Sequence, residues 1–241
     1  MDATEVFYCY TADINYNDMQ KELGHILCHT EQERLSRFRF NKDKKSFLIS
    51  HLLARIVLGR KLSINPKKIS YLYTSSGKPY IKDNPVFFNM SNTAMMSSLI
   101  INKRYACGID NEHINQNRDF MDIATNYFGI NELEKLKKTE INRQAEYFYS
   151  LWALKEACLK CRGDGLNISP DKVQFVLAEK HIEALFTPSL NENISNWHFN
   201  LKKMEYNCLL ATALKIPDAH NIEISYNKVT QSTLFNSYTN E

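Results

Sequence analysis

The sequence predicts an α+β fold, in which groups of helices are followed by groups of strands. Two observations carry this. Apolar residues at helical spacing are concentrated in two stretches of the chain, and each stretch gives way to short segments of strand character. There is also an internal echo: Met95 to Ile101 resembles Tyr206 to Leu214, each a strand near the end of its half.

Thr4 to Asp13 sets Val6, Tyr8 and Tyr10 against Phe7 and Cys9 and reads as a buried opening strand. Asp18 to Cys28 spaces Met19, Leu23, Ile26 and Leu27 as a helix. Thr30, followed three residues later by Glu33, has the form of a capping box, and the helix it opens carries Arg34, Arg37, Phe38 and Phe40. A further helix from Asp43 to Leu58 is apolar at Phe47, Leu48, Leu52, Ile56 and Val57 and ends near Gly59. Ile69 to Tyr73 is a short strand, Ser75-Ser76-Gly77-Lys78-Pro79 a turn, and Val86 to Asn89 another strand. Ser97 to Ile101 and Tyr105 to Asp110 pair as a hairpin about Asn102-Lys103.

The second half runs similarly. Asp119 to Phe128 is helical, and a helix from Asn131 has Glu132 and Glu134 in its first turn. Arg143 to Arg162 is a long helix burying Tyr147, Phe148, Leu151, Leu154 and Leu159, stopped by Gly163-Asp164-Gly165. Strands follow at Val173 to Leu177, Trp197 to Lys202 and Cys208 to Leu214. The polar tail after Asn227 is expected to fray.

A chain of 241 residues can bury a substantial core as one large domain or two small ones. Its apolar fraction of 44% and charged fraction of 24% are those of a soluble globular protein, and a net charge of +3 does not by itself imply nucleic acid or membrane. No run of about eighteen apolar residues offers a membrane span. The opening Met1-Asp2-Ala3-Thr4-Glu5 lacks the basic and apolar regions of a secretory signal, so a cytoplasmic protein is expected. In that setting the six cysteines are read as mostly buried thiols. Cys158 and Cys161 share a helical face and read as packing, and His25, Cys28 and His29 lack an obvious fourth ligand for zinc.

The chemistry is concentrated in two strings. In Gly108-Ile109-Asp110-Asn111-Glu112, residues two apart at the end of a strand point to one face, so Asp110 and Glu112 project side by side. In Trp152-Ala153-Leu154-Lys155-Glu156-Ala157-Cys158-Leu159-Lys160, Glu156 and Lys160 lie four apart on one helical stripe, and Lys155 points about 100° away. Singly, such pairs are ordinarily solvated faces or surface ion pairs. Together they supply three carboxylates and an ammonium, the set that a hard divalent cation and a phosphate-bearing substrate require.

These strings resemble the two signature motifs of the 4'-phosphopantetheinyl transferases, G-[IV]-D-x-E and W-x-x-K-E-[AS]-x-x-K. Two shorter family strings stand upstream in the same order: Gly77-Lys78-Pro79 and Phe88-Asn89-Met90-Ser91-Asn92-Thr93. The chain's length resembles that of the larger, surfactin-type subfamily. This likeness implies a pseudo-dimer of two similar α+β halves with the active site in the cleft between them. The halves would be 1–103, binding coenzyme A, and 104–241, carrying the metal and catalytic motifs.

The implied reaction moves the phosphopantetheine arm of coenzyme A to a serine of an apo acyl or peptidyl carrier protein, releasing 3',5'-ADP. Asp110, Glu112 and Glu156 would hold Mg²⁺, Glu156 and Lys160 would be the catalytic pair, and Lys160 would also neutralise phosphate charge. Lys78, Ser91 and Asn92 match positions that hold the nucleotide and its phosphates. Among the basic residues from Arg34 to Arg55, Arg34 and Lys45 are the candidates for the ribose 3'-phosphate. Asn92 replaces a histidine common in relatives, so it can donate but carries no charge. Asn111 replaces the more usual Ile or Val. Ile114 to Leu136, with Phe120, Met121, Ile123, Tyr127 and Phe128, is a candidate carrier-docking surface. A monomer suffices, because one chain contains both halves of the cleft, and neither nucleic acid nor membrane is expected as a partner. The alternatives are another Mg²⁺-dependent phosphate-handling enzyme, disfavoured because a Gly-x-x-x-x-Gly-Lys loop is absent, or a degenerate coenzyme A or carrier-protein binder.

Overall fold

The computed structural model describes residues 4–83, 86–178, 181–217 and 222–239, less the side chains of Leu166, Tyr238 and Thr239. The first half runs β1 (Thr4–Tyr10), α1 (Tyr16–Leu23), α2 (His29–Arg37), α3 (Asn41–Leu62), a small hairpin of β2 (Leu72–Tyr73) and β3 (Pro79–Tyr80), β4 (Phe87–Asn92) and β5 (Met96–Asn102). The second half repeats this order: β6 (Ala106–His113), α4 (Met121–Tyr127), α5 (Ile130–Lys138), α6 (Ile141–Arg162), a hairpin of β7 (Val173–Leu177) and β8 (Ile182–Phe186), β9 (Trp197–Lys203) and β10 (Cys208–Lys215). In both halves the third helix is 22 residues long, and the last strand pairs antiparallel with the first strand and with the strand before it. The echo between Met95–Ile101 and Tyr206–Leu214 falls on the equivalent strands β5 and β10.

Each sheet is covered on both faces. Leu99 and Ile101 of β5 join the α3 residues Leu48, Leu52 and Ile56 in one core, while Met96 and Ile100 turn the other way. Leu209, Ala211 and Ala213 of β10 pack with Leu154 and Ala157 of α6, and Cys208, Leu210 and Leu214 turn the other way. The outward sets meet each other, with Val6, Cys107 and Ile109, in a third core between the sheets. β5 and β10 are therefore buried along their length except for Lys215 at the end, as strands covered on both faces must be.

Several sequence expectations are corrected. Helix α2 starts at His29 with Cys28 as its N-cap, and the box residue is Glu31 rather than Glu33. Glu31 holds that role because its carboxylate is anchored from α3: Oε2 accepts from Arg55 Nε at 2.7 Å and from Cys28 N at 2.9 Å. Arg55 is thus a buried structural cation and leaves the phosphate candidates. Helix α3 runs past Gly59 to Leu62 and ends at Ser63 in the left-handed conformation. The tail does not fray after Asn227. β11 (Ile224–Lys228) pairs parallel with β1, and α7 (Gln231–Thr239) buries Leu234 in the first half's core, so the end of the chain returns to the first half. A helical spacing of few apolar residues hid this, because its partners lie at the other end of the sequence.

Two outcomes are expected. Leu234→Ala should cost about 2–5 kcal/mol in urea denaturation, whereas a frayed tail would lose nothing. Burial raises the Glu31 carboxyl, but hydrogen bonds from His51 and Arg55 outweigh it and hold it at about 2, below its ordinary 4.5. The stability it contributes is present above pH 4.5 and lost as pH falls towards about 2. Glu31→Gln should flatten the fall in urea midpoint across that window.

Candidate functional site

The second half's wall of the cleft is built on a missing side chain. A Cβ on Gly108 would lie 2.1 Å from the carbonyl oxygen of Ala157 and 2.4 Å from the amide nitrogen of Cys161, so only glycine lets α6 seat this closely on β6. That contact brings the Glu156–Lys160 stripe to the strand face carrying Asp110 and Glu112. Lys160 Nζ donates to Asp110 Oδ1 at 2.6 Å and to Ser91 Oγ at 3.3 Å, and Ser91 Oγ donates to the same Asp110 oxygen at 2.9 Å.

The edges of the two sheets are stitched by β4. Asn89 Oδ1 accepts from Ile109 N at 3.0 Å and Ser91 Oγ from Asn111 N at 3.3 Å, so two side chains on one face of β4 satisfy the free amides of β6. Asn111, on the opposite face from Asp110, is buried: Oδ1 accepts from Ser98 Oγ at 2.5 Å and Nδ2 donates to Met96 O at 3.1 Å. The departure from an apolar residue therefore exchanges a hydrophobic contact for a satisfied polar one.

The carboxylates feel one another. Burial pushes Glu112 up to about 8, with the charges of Asp110 and Glu156 adding to the rise and Lys160 and Arg118 opposing it. Burial also raises Glu156, against Lys160 and with Asp110. Burial would lower Lys160, but Asp110, Glu156 and Glu112 hold it above its usual value. One ammonium does not balance three carboxylates, and Glu112 responds by keeping its proton. As they stand these acids are not a finished ligand cage: among the described residues no group of three His, Cys, Asp or Glu side chains is arranged to hold a metal ion, since Asp110 is turned to Lys160. The residues nevertheless fit a hard divalent cation. Asp110 Oδ2 is buried without a hydrogen-bond partner, and the surplus charge is negative.

The other sequence candidates separate. Lys78 Nζ donates to the carbonyl oxygens of Lys160 at 2.6 Å, Cys107 at 3.2 Å and Cys161 at 3.4 Å, so its charge sits at the C-terminal end of α6. Gly77 and Pro79 on either side of it line the cavity beside β4. Asn92 Nδ2 donates to Ser46 Oγ at 2.7 Å and lines a cavity of about 500 Å³ with Arg34, Phe47, His51 and Tyr73. The Arg34 guanidinium lies 5.4 Å from the centre of the Phe47 ring. Lys45 precedes Ser46 on α3 but is not part of the lining. His51 was missed by sequence reasoning; it stacks on Phe47 at 4.0 Å and its Nδ1 pairs with Glu31 at 2.9 Å. Its spacing of four from Phe47 was the available signal. Of the docking segment, Phe120 and Phe128 are core, stacked on Phe148, while Tyr127 is exposed. Cys158 and Cys161 are core as well.

Fold and cleft define an α+β protein of two similar halves with an acid-rich, lysine-bearing junction. A family model described as the 4'-phosphopantetheinyl transferase superfamily matches residues 106–211, and one described as 4'-phosphopantetheinyl transferase, N-terminal, matches residues 16–103. The chain belongs to the 4'-phosphopantetheinyl transferase superfamily. Among curated relatives, 4'-phosphopantetheinyl transferase HetI of Nostoc sp. is 29% identical over 61% of this chain and 63% of its own. The 4'-phosphopantetheinyl transferase Sfp of Bacillus subtilis is 29% identical over 58% of this chain and 62% of its own. The human L-aminoadipate-semialdehyde dehydrogenase-phosphopantetheinyl transferase is 28% identical over 78% of this chain and 67% of its own. The chain thus matches less than two thirds of the length of these bacterial relatives. The solved Thermotoga maritima holo-[acyl-carrier-protein] synthase resembles it with a TM-score of 0.38 and 21% identity over 47% of this chain and 64% of that one.

Because Glu112 is protonated below about pH 8, occupation of the cleft by Mg²⁺ should release a proton at neutral pH. Calorimetry in buffers of different ionisation enthalpy should show that release, with Mg²⁺ affinity rising as pH approaches about 8 and levelling above it.

Proposed function

We propose that the protein transfers the 4'-phosphopantetheine arm of coenzyme A to a serine hydroxyl of an apo acyl or peptidyl carrier protein. The serine oxygen forms a bond to the phosphorus nearer the pantetheine, the pyrophosphate P–O bond breaks, and 3',5'-ADP leaves while the serine proton passes to solvent or a nearby base. The observation that carries this reading is the encounter of Lys160 with Asp110 at 2.6 Å, in a cleft where Glu112 and Glu156 are coupled to both by charge.

Asp110, Glu112 and Glu156 would hold Mg²⁺, which supplies charge neutralisation and orientation to the pyrophosphate when bound. Lys160, kept protonated by the surrounding acids, is a fixed positive partner for the leaving phosphate rather than a base. Ser91 fixes both Lys160 and Asp110. The cavity beside β4 is the proposed seat of the phosphorylated adenosine: Arg34, His51 and Asn92 offer donors to phosphate, and the exposed ring of Tyr73 offers a stacking surface to the base. The exposed side chains Tyr127, at the end of α4, and Ile130, at the start of α5, are proposed as carrier contacts.

The proposed setting is the cytoplasm and the proposed working unit a single chain. The six free cysteines suit a reducing compartment, no helix among the described residues is long and apolar enough to cross a membrane, and both walls of the cleft come from one chain.

Incubation with coenzyme A, Mg²⁺ and an apo carrier protein should give a carrier heavier by one phosphopantetheine arm in mass spectrometry. Asp110→Ala and Glu156→Ala should each lower the rate by at least about 100-fold, as should chelation of the metal. A Glu156→Ala variant at full rate would overturn the assignment of that ligand, and an unmodified carrier would overturn the function.

A further inference from the structure

The two halves share a buried ion clamp that the cleft chemistry does not use. Glu31 and Glu132 are each the third residue of a short helix, α2 and α5. Arg55 and Lys155 are each the fifteenth residue of a 22-residue helix, α3 and α6. In the first half Glu31 Oε2 accepts from Cys28 N and from Arg55 Nε, and the Arg55 guanidinium also donates to Pro66 O at 2.9 Å and Ile69 O at 3.1 Å. In the second half Glu132 Oε2 accepts from Gly129 N at 2.8 Å and pairs with Lys155 Nζ at 2.8 Å. Lys155 Nζ also donates to Pro170 O at 3.0 Å and to Val173 O. In each half the proline opens a single 3₁₀ turn after the long helix, and the second carbonyl belongs to the residue that closes it.

The duplication separates architecture from chemistry. The residue after Arg55 is the buried Ile56, and the residue after Lys155 is Glu156 in the cleft. One clamp therefore fixes the rotation of a helix whether the neighbouring side chain is aliphatic or acidic. All three donors of the Lys155 ammonium meet acceptors, and the second oxygen of Glu132 accepts from Phe175 N at 2.7 Å. Both side chains are at most 2% exposed, so neither has a free site for a substrate proton.

We infer that Lys155 is a positioning residue: clamped to Glu132 and the carbonyls of Pro170 and Val173, it sets the rotation of α6 that presents Glu156 and Lys160 to Asp110 and Glu112, with no contact to substrate. The inference rests on the proposed function for its metal, but its own readout is binding. The sister half supplies the conservative substitution, because Arg55 grips the same acceptors.

The test is calorimetric titration of Mg²⁺ alone, and of 3',5'-ADP alone, into the wild type, Lys155→Arg, Lys155→Met and the double variant Lys155→Met/Glu132→Gln. The double variant is included because Lys155→Met by itself strands a buried carboxylate and can fail to fold. Lys155→Arg should keep Mg²⁺ affinity and transfer rate near wild type. The methionine variants should bind Mg²⁺ about 10- to 100-fold more weakly, with 3',5'-ADP affinity falling less, since only its leaving phosphate meets Lys160 and the rest of the proposed nucleotide seat belongs to the other half. Loss of rate in Lys155→Arg at unchanged Mg²⁺ affinity would overturn the inference, because it would place the ammonium at the substrate. Wild-type Mg²⁺ affinity in the folded double variant, or a wild type that binds no Mg²⁺, would overturn it as well. If the Mg²⁺ pattern holds but no carrier is modified, the clamp stands and the proposed transferase activity falls.

Discussion

Where β6 meets α6 there is no room for a side chain: a methyl group on Gly108 would fall inside the van der Waals radius of two backbone atoms of the helix. Helix and strand therefore touch main chain to main chain, and the strand acids and the helix pair take their separation from that contact. Asp110 and Glu112 follow at two-residue intervals along the strand, and Glu156 and Lys160 flank the touching turn of the helix. A larger residue at 108 would push the two pairs apart, parting Lys160 from Asp110 and leaving the two strand acids without their ammonium.

The closeness creates an electrostatic imbalance. Three carboxylates and one ammonium share a partly buried space, so the lysine holds its proton, one acid takes up a proton, and one oxygen of Asp110 is left without a donor. Such a cluster is unfavourable by itself and becomes balanced by a small, doubly charged cation. The surrounding structure is tied together by polar contacts. Asn89 and Ser91 fasten one sheet edge to the other, Asn111 is tied to β5 on the reverse face, and Lys78 locks the small hairpin's turn onto the end of α6. Buried ion pairs in each half, Glu31 with Arg55 and Glu132 with Lys155, tie each long helix to the short helix before it.

The repeat explains why so much structural work is done by polar groups. Each sheet buries both faces, so the apolar residues of β5 and β10 define where the layers lie but not how they slide against one another. Hydrogen bonds and ion pairs set that register, because an unpaired buried polar group is costly and only one alignment satisfies all of them.

Helices, strands and the acid–lysine strings were legible in the sequence because each is a short-range pattern: period, spacing and stop residues act over a few positions. The string Phe88-Asn89-Met90-Ser91 was legible as a motif, but its task of capping the amides at Ile109 and Asn111 was not, since those amides lie on a different sheet. The same holds for Arg55 and Lys78, whose basic character suggested phosphate while their nearest acceptors are protein groups. The return of the chain's end to the first half was hidden for the same reason, as β11 pairs with a strand at the opposite terminus. The sequence by itself thus determined the kinds of element, the order in which they recur and the residue types that gather charge. Only the tertiary structure decided which cations meet protein acceptors, Arg55 on Glu31 and Lys78 on the end of α6, because the distance from a side chain to an acceptor is a property of packing rather than of chain position.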